Sequence, residues 1–145
     1  MKLSSNFTLE ELIISQTALR NNIDNTPNEE EIENLKKLCI NILQPLRDDY
    51  QLPLVISSGF RSKELSSLVG SKPTSQHCMG SAADFSIPSI DNKKLFKHII
   101  ENLPFDQAIL EYYTEENGGW IHCSYADKGR GQALTKDKKE YKDYK

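Results

Sequence analysis

Apolar residues recur at spacings of three and four from Ile32 through Leu35, Leu38, Cys39 and Ile42 to Leu46, and beyond Leu54 that period gives way to short runs. One apolar stripe on a long helix, followed by strand-like segments, restricts the chain to helices packed on a sheet. Thr26-Pro27-Asn28-Glu29 marks the start of the long helix, with Thr26 at the cap and Pro27 at the first helical position, where its missing N–H costs nothing. Glu29 to Glu31 and Glu33 fall where the helix dipole favours acid. Pro45 predicts a kink in the last turn or the start of its unwinding. Upstream, Thr8-Leu9-Glu10-Glu11 has the spacing of a capping box ahead of Leu12, Ile13 and Ile14.

In the second half, Leu54-Val55-Ile56 reads as a short buried strand ending at Ser57-Ser58-Gly59. Ser62 to Val69 suits a short helix stopped by Gly70, and Ser71 to Gly80 a polar loop. Ala82 to Ile87 reads as a strand ended by Pro88. Asp91 then caps a helix with an apolar face of Leu95, Phe96, Ile99, Ile100 and Leu103. Gln107 to Tyr113 and Trp120 to Tyr125 are strand-like runs around Glu115-Glu116-Asn117-Gly118, a hairpin signal. The expected class is α+β, with N-terminal helices packed on a small antiparallel sheet.

A chain of 145 residues supports one such domain, expected over residues 1–126. Residues 127–145 carry seven basic and four acidic side chains with few apolar ones, and read as a basic, extended, solvated tail. A contact between this tail and an anionic polymer is the second reading. The net charge of -3 argues against nucleic-acid binding by bulk electrostatics. No apolar run reaches spanning length and no signal-peptide pattern follows Met1, so cytoplasmic synthesis and no membrane insertion are expected. A monomer is expected. Cys39, Cys78 and Cys123 form an odd set without a CxxC pair and read as buried thiols in a reducing compartment.

Chemistry concentrates in two segments that hold two of the three histidines. His77 and Asp84 bracket the run from His77 to Asp84, and His122 follows Trp120-Ile121. On the strand from Ala82, Asp84 shares a face with the small residues Ala82 and Ser86, which leaves room for an ion beside the carboxylate. His122 shares its face with Trp120 and Ser124. Two imidazoles and one carboxylate make a three-ligand zinc set with the fourth position open, the catalytic rather than the structural arrangement. The remaining histidine, His98, reads as a partly exposed helical residue.

Ser57-Ser58-Gly59-Phe60-Arg61-Ser62, then Ser75-Gln76-His77-x-x-Gly80-x-Ala82-x-Asp84, then Trp120-Ile121-His122-x-Ser124 resemble the signature of the D-Ala-D-Ala peptidase group of zinc peptidases. That group shares its fold type with lysostaphin-like peptidases and the hedgehog signalling domain. Phe7-Thr8-Leu9-Glu10-Glu11-Leu12, Ser15 to Ala18, Asp24 to Pro27 and Leu43 to Arg47 resemble one branch of it, common in phages and prophages. The resemblance covers roughly Asn6 to Tyr125. It implies a peptidoglycan hydrolase acting on stem peptides as a carboxypeptidase or an endolysin-type endopeptidase. One Zn2+ per chain would be held by His77, Asp84 and His122, with zinc-activated water as nucleophile. It would act on the cell wall, and a phage protein would reach it by lysis or on a virion.

In well-studied members of the wider group an acidic residue lies three positions before the last histidine, and here that position is Gly119. Glu111 is the candidate general base: pairing of Tyr113 with Trp120 would set it opposite His122 on the same face. A one-residue slip would turn it to the other face. Glu116 is the second candidate, on the expected turn. By resemblance Arg61 is an anion clamp for a substrate carboxylate, suited by its planar fork. Ser75 is a candidate for substrate binding, with loop capping as its alternative role. Two competing readings remain. One makes Cys78 or Cys123 a nucleophile beside a histidine, although neighbouring strand residues point to opposite faces. The other keeps the zinc and loses catalysis, as a zinc-stabilised wall-binding or virion structural module.

Overall fold

The computed structural model describes residues 1–137 and 140–144. A two-stranded ribbon, β1 (Lys2–Ser4) and β2 (Phe7–Thr8), leads into α1 (Leu9–Ile13), where the Thr8 hydroxyl accepts the N–H of Glu11 at 3.2 Å. Ser15 caps α2 (Gln16–Arg20) in the same way. The cap of α3 (Glu29–Leu38) is Asn28 and not Thr26. Asn28 and Glu31 exchange side chain and backbone bonds, both at 2.8 Å, and this reciprocal box satisfies two orphan donors at once.

Pro45 does not end the long helix. Cys39–Leu43 wind as a single π-turn in which the N–H of Gln44 bonds to the carbonyl of Cys39, and α4 (Gln44–Tyr50) continues from it. The wider turn accommodates a proline ring that would collide with the carbonyl four residues back, and Pro45 falls in the first turn of α4. The expected stripe is buried: Leu35, Leu38, Cys39, Ile42 and Leu46 are shielded from solvent.

Beyond the helices come β3 (Val55–Ser58), α5 (Lys63–Leu68) capped by Ser62, a 3₁₀ turn at Gln76–Met79, and β4 (Ala82–Ser86). Then follow α6 (Asn92–Asn102) capped by Asp91, β5 (Gln107–Thr114), β6 (Gly118–Ser124), β7 (Gln132–Lys136) and β8 (Tyr141–Asp143). Six of these strands form one sheet in the order β3-β4-β6-β5-β7-β8. The class is α+β as expected, but the sheet is mixed, because β7 runs parallel to β5. β3 is an edge strand with Val55 half exposed, where a buried strand was expected. The inner face, with Ala83, Phe85, Leu110, Ile121 and Cys123, packs on Leu35, Ile42, Leu95, Phe96 and Ile99.

Residues past 126 also depart from the expected solvated tail. β7 pairs with β5 from Gln107–Gln132 to Glu111–Lys136, and β8 closes on β7. The free edge of β5 offers unpaired backbone groups, and β7 satisfies them, with Ala133 packed against the core and Leu134 buried on the same face as Ile109.

Candidate metal centre

The three expected ligands converge from three elements. His77 lies in the 3₁₀ turn, Asp84 in β4 and His122 in β6, and the register pairs Asp84 with His122 directly. One ligand atom from each lies within 4.8 Å of the others. Asp84 Oδ1 is 3.0 Å from His122 Nδ1 and 3.3 Å from His77 Nε2. The other nitrogen of His77, Nδ1, is 2.7 Å from the carbonyl of Gly59. A ring N–H donated there leaves Nε2 as the lone-pair nitrogen facing Asp84 and His122, the usual outer-sphere support of a metal-ligating histidine. Two imidazoles and a carboxylate, nearly buried and oriented in this way, suit zinc.

The segment behind His77 explains Ser57-Ser58-Gly59-Phe60-Arg61. Gly59 passes so close to α1 that a Cβ would overlap the Leu12 carbonyl, and the next N–H, of Phe60, bonds to that same oxygen at 2.8 Å. Asn25 clamps this loop: its Nδ2 donates to Ile13 and Phe60 carbonyls and its Oδ1 accepts the N–H of Ser62. Arg61 is therefore held beside Asp84, with Nη2 3.4 Å from Oδ2, Nε on Ser58 Oγ at 2.9 Å and Nη1 on Ser71 Oγ at 2.8 Å. Burial alone would raise the Asp84 carboxyl, but hydrogen bonds and charge from His122 and His77 outweigh it and hold the group well below the usual range.

Glu111 lines the same cleft as the three ligands, a hollow of about 480 Å³. The register is two residues away from the expected one: Glu111 pairs with Trp120, and Ile109 with His122. A two-residue shift preserves the face, so Glu111 sits diagonal to His122 rather than opposite it. Its Oε2 accepts the indole N–H of Trp120 at 2.8 Å. Burial, then the charge of Asp84, pushes its pKa up, while His122, Trp120 and Lys136 oppose this.

The other expected residues fall into place around this group. Ser75 lines the cleft and also caps the 3₁₀ turn, its hydroxyl accepting the His77 N–H at 3.2 Å. Glu116 is exposed on the hairpin turn and does not line the cleft. Cys78 and Cys123 are buried outside the cleft lining, and burial pushes the Cys123 thiol far up, which suits core filling and not nucleophilic attack. His98 holds Asp49 at 2.9 Å and packs edge-on against Tyr50, away from the cleft.

Sequence reasoning missed two groups. Gln76 Nε2 donates to buried Asp106 at 2.8 Å, and Asp106 also accepts the backbone N–H, Nε and Nη2 of Arg130. This braces the His77 turn from the start of β5, and no local motif marks a bond between residues so far apart. Tyr112, Lys136 and Tyr141 form the cleft wall next to Trp120. Tyr141 and Lys136 were beyond reach because they depend on β7 and β8 folding back.

The sequence profile of the Peptidase M15 family matches residues 5–124 of the chain. No curated protein matches it significantly.

Proposed function

The chain belongs to the Peptidase M15 family, and from that premise we propose that it is a zinc metallopeptidase that hydrolyses peptide bonds within peptidoglycan stem peptides. The observation that carries this reading is the meeting of His77, Asp84, His122 and Glu111 in one cleft. Zinc bound by the first three would supply a Lewis acid that polarises the scissile carbonyl and makes a water acidic near neutral pH.

Glu111 takes the proton from the attacking water and delivers it to the leaving amine. Its raised pKa suits a group that must both accept and return a proton. Trp120 holds the carboxylate by one oxygen and leaves Oε1 for that exchange. Arg61 commits three donors to Ser58, Ser71 and Asp84, which keeps Asp84 aimed at the histidines. Its remaining N–H groups face substrate as the anion clamp. Ser75 presents the His77 turn at the cleft rim.

Past Arg61 and Ser71 a second hollow of about 330 Å³ opens, reaching Ile14, Ser15 and Thr17. The two hollows share Arg61 and Ser71, and this continuation of the groove past the anion clamp supports an endopeptidase over a carboxypeptidase. In this reading the enzyme works at the cell wall with one zinc per chain. Metal analysis combined with mass spectrometry of digested peptidoglycan tests it. Zinc at one per chain and new amino termini inside the stem are expected; a protein that binds zinc and releases nothing is a binding module instead.

A further inference from the structure

The residues that match the family end at Ser124, yet the cleft wall continues past them. β7 and β8 bring Lys136 and Tyr141 to the metal cleft, where Lys136 Nζ lies 5.7 Å from the Tyr112 ring centre and 4.7 Å from that of Tyr141. Its nearest carboxylate oxygen in an ion pair is Glu111 Oε1 at 3.9 Å, too long for a hydrogen bond. Two aromatic faces hold the ammonium over the cleft. Hydrogen bonding to Tyr141 leads the influences that push Lys136 above its ordinary pKa, so it stays charged.

Charge adds a second, independent argument. Arg61 and Lys136 balance Asp84 and Glu111 along the cleft, so a dication at the ligands leaves the loaded cleft at about +2. A neutral peptide does not complement that surplus. Arg61 has three donors of its fork engaged by Ser58, Ser71 and Asp84, whereas Lys136 has the Tyr141 hydroxyl and, at 3.9 Å, the Glu111 carboxylate as neighbours and keeps a donor for a further carboxylate.

Resting on the peptidase reading, we propose that Lys136 is a specificity-determining residue that binds a non-terminal carboxylate of the stem peptide, with Tyr112 and Tyr141 fixing its position. Arg61 serves the other side of the cleft. The C-terminal strand pair is then a substrate-selecting element added to the family-matched domain.

The test is calorimetry on the zinc-loaded protein with two uncleavable stem-pentapeptide analogues, each with a ketomethylene in place of the D-alanyl amide. In one the non-terminal carboxylate is free, and in the other it is a carboxamide. The free acid binds about tenfold more tightly than the amide, the size of one charge-assisted contact. Lys136→Met brings the two affinities together by weakening only the acid, and Lys136→Arg keeps the preference. Equal binding of acid and amide by the unaltered protein, or a preference that survives in Lys136→Met, overturns the proposal. Turnover of the corresponding cleavable peptides is measured alongside. Equal binding of acid and amide by the unaltered protein, or a preference that survives in Lys136→Met, with turnover intact refutes only the Lys136 assignment; a Lys136-dependent preference without turnover refutes only the peptidase reading.

Discussion

Gly119 lies so close to the backbone of Glu111 that a Cβ at position 119 would overlap the Glu111 carbonyl oxygen. Its φ is +78°, Tyr112 across the hairpin has φ +54°, and the pairing slips by one residue between Glu111 and Thr114. Asn92 fastens this bulge from α6, its Nδ2 donating to the carbonyls of Gly118 and Gly119 at 3.3 and 3.1 Å. The position that carries an acid in related peptidases is thus closed to any side chain here. The carboxylate in the cleft comes from the neighbouring strand instead.

Gly119→Asp should therefore damage the fold without restoring an acid. Overlap with the Glu111 carbonyl and a left-handed φ together cost about 2–4 kcal/mol. Urea denaturation measures that loss. The double variant Gly119→Asp, Glu111→Gln remains as inactive as Glu111→Gln alone; recovered turnover would show that the acid can act from position 119 after all.

Glu111→Gln separates metal binding from chemistry. The amide keeps the volume and the bond from Trp120, and none of the three ligands is touched, so zinc stoichiometry stays at one per chain. Turnover falls by about 10²–10⁴-fold, the usual worth of a positioned general base. Metal analysis and a peptide-release assay on the same preparation read both. Full activity in this variant removes Glu111 from the mechanism.

Trp120→Phe probes the indole bond. That bond favours the ionised form of Glu111, so its loss moves the already raised pKa further up. A general base must be ionised to act, and the acid limb of kcat/KM against pH therefore shifts to higher pH. A drop in rate with an unmoved limb would mean that Trp120 only packs.

The candidate ligand group was legible because each member lies in a dense local pattern whose spacing survives folding: His77 to Asp84 across one turn and strand, and His122 two residues from Trp120. Strand alternation set Asp84 and Glu111 on the correct face, although the hairpin register was off by two. One residue of that error came from the turn, where Thr114 pairs with Gly118, and the other from the bulge at Tyr112 and Gly119, since a residue in a left-handed conformation leaves no period to read. The cap at Asn28 was missed because Thr-Pro and Asn-Glu offer two overlapping start signals, and only the reciprocal bond decides between them. β7 and β8 were missed for a different reason. Their polar, charged residues look solvated until the open edge of β5 supplies a pairing partner. Long-range edge pairing has no local signature.

The brace between Asp106 and Gln76 offers a pH test. Bonds from Arg130 foremost, and from Gln76, hold the Asp106 carboxyl well below its ordinary value despite burial. A carboxyl with a lower pKa in the folded chain stabilises it above the unfolded value of about 4, and that stabilisation is lost as pH falls toward the folded value. Asp106→Asn should cost about 2 kcal/mol at neutral pH. The gap to the unaltered protein should narrow below about pH 4, as followed by urea denaturation across pH. A gap independent of pH would assign the loss to packing.

Removal of the metal should loosen one region more than the rest. Asp84 lies 3.0 and 3.3 Å from His122 and His77, and the Gly59 carbonyl holds the far side of His77, so protein contacts help to gather the three side chains. The His77 turn is tied to the rest of the chain by single bonds from Gln76, from Asn34 to the Met79 carbonyl and from the Arg61 N–H to the His77 carbonyl, whereas β4 and β6 are fixed by the sheet. Zinc at a thousand times its Kd would stabilise the chain by about 4 kcal/mol. A chelator therefore lowers the melting temperature and speeds amide hydrogen exchange in residues 71–80 before it does so in β4 or β6. His77→Ala gives the same exchange pattern with or without zinc, because two ligands no longer retain the ion. Uniform exchange across the sheet on chelation would mean that the centre is held by the metal and not assembled beforehand by its protein bonds.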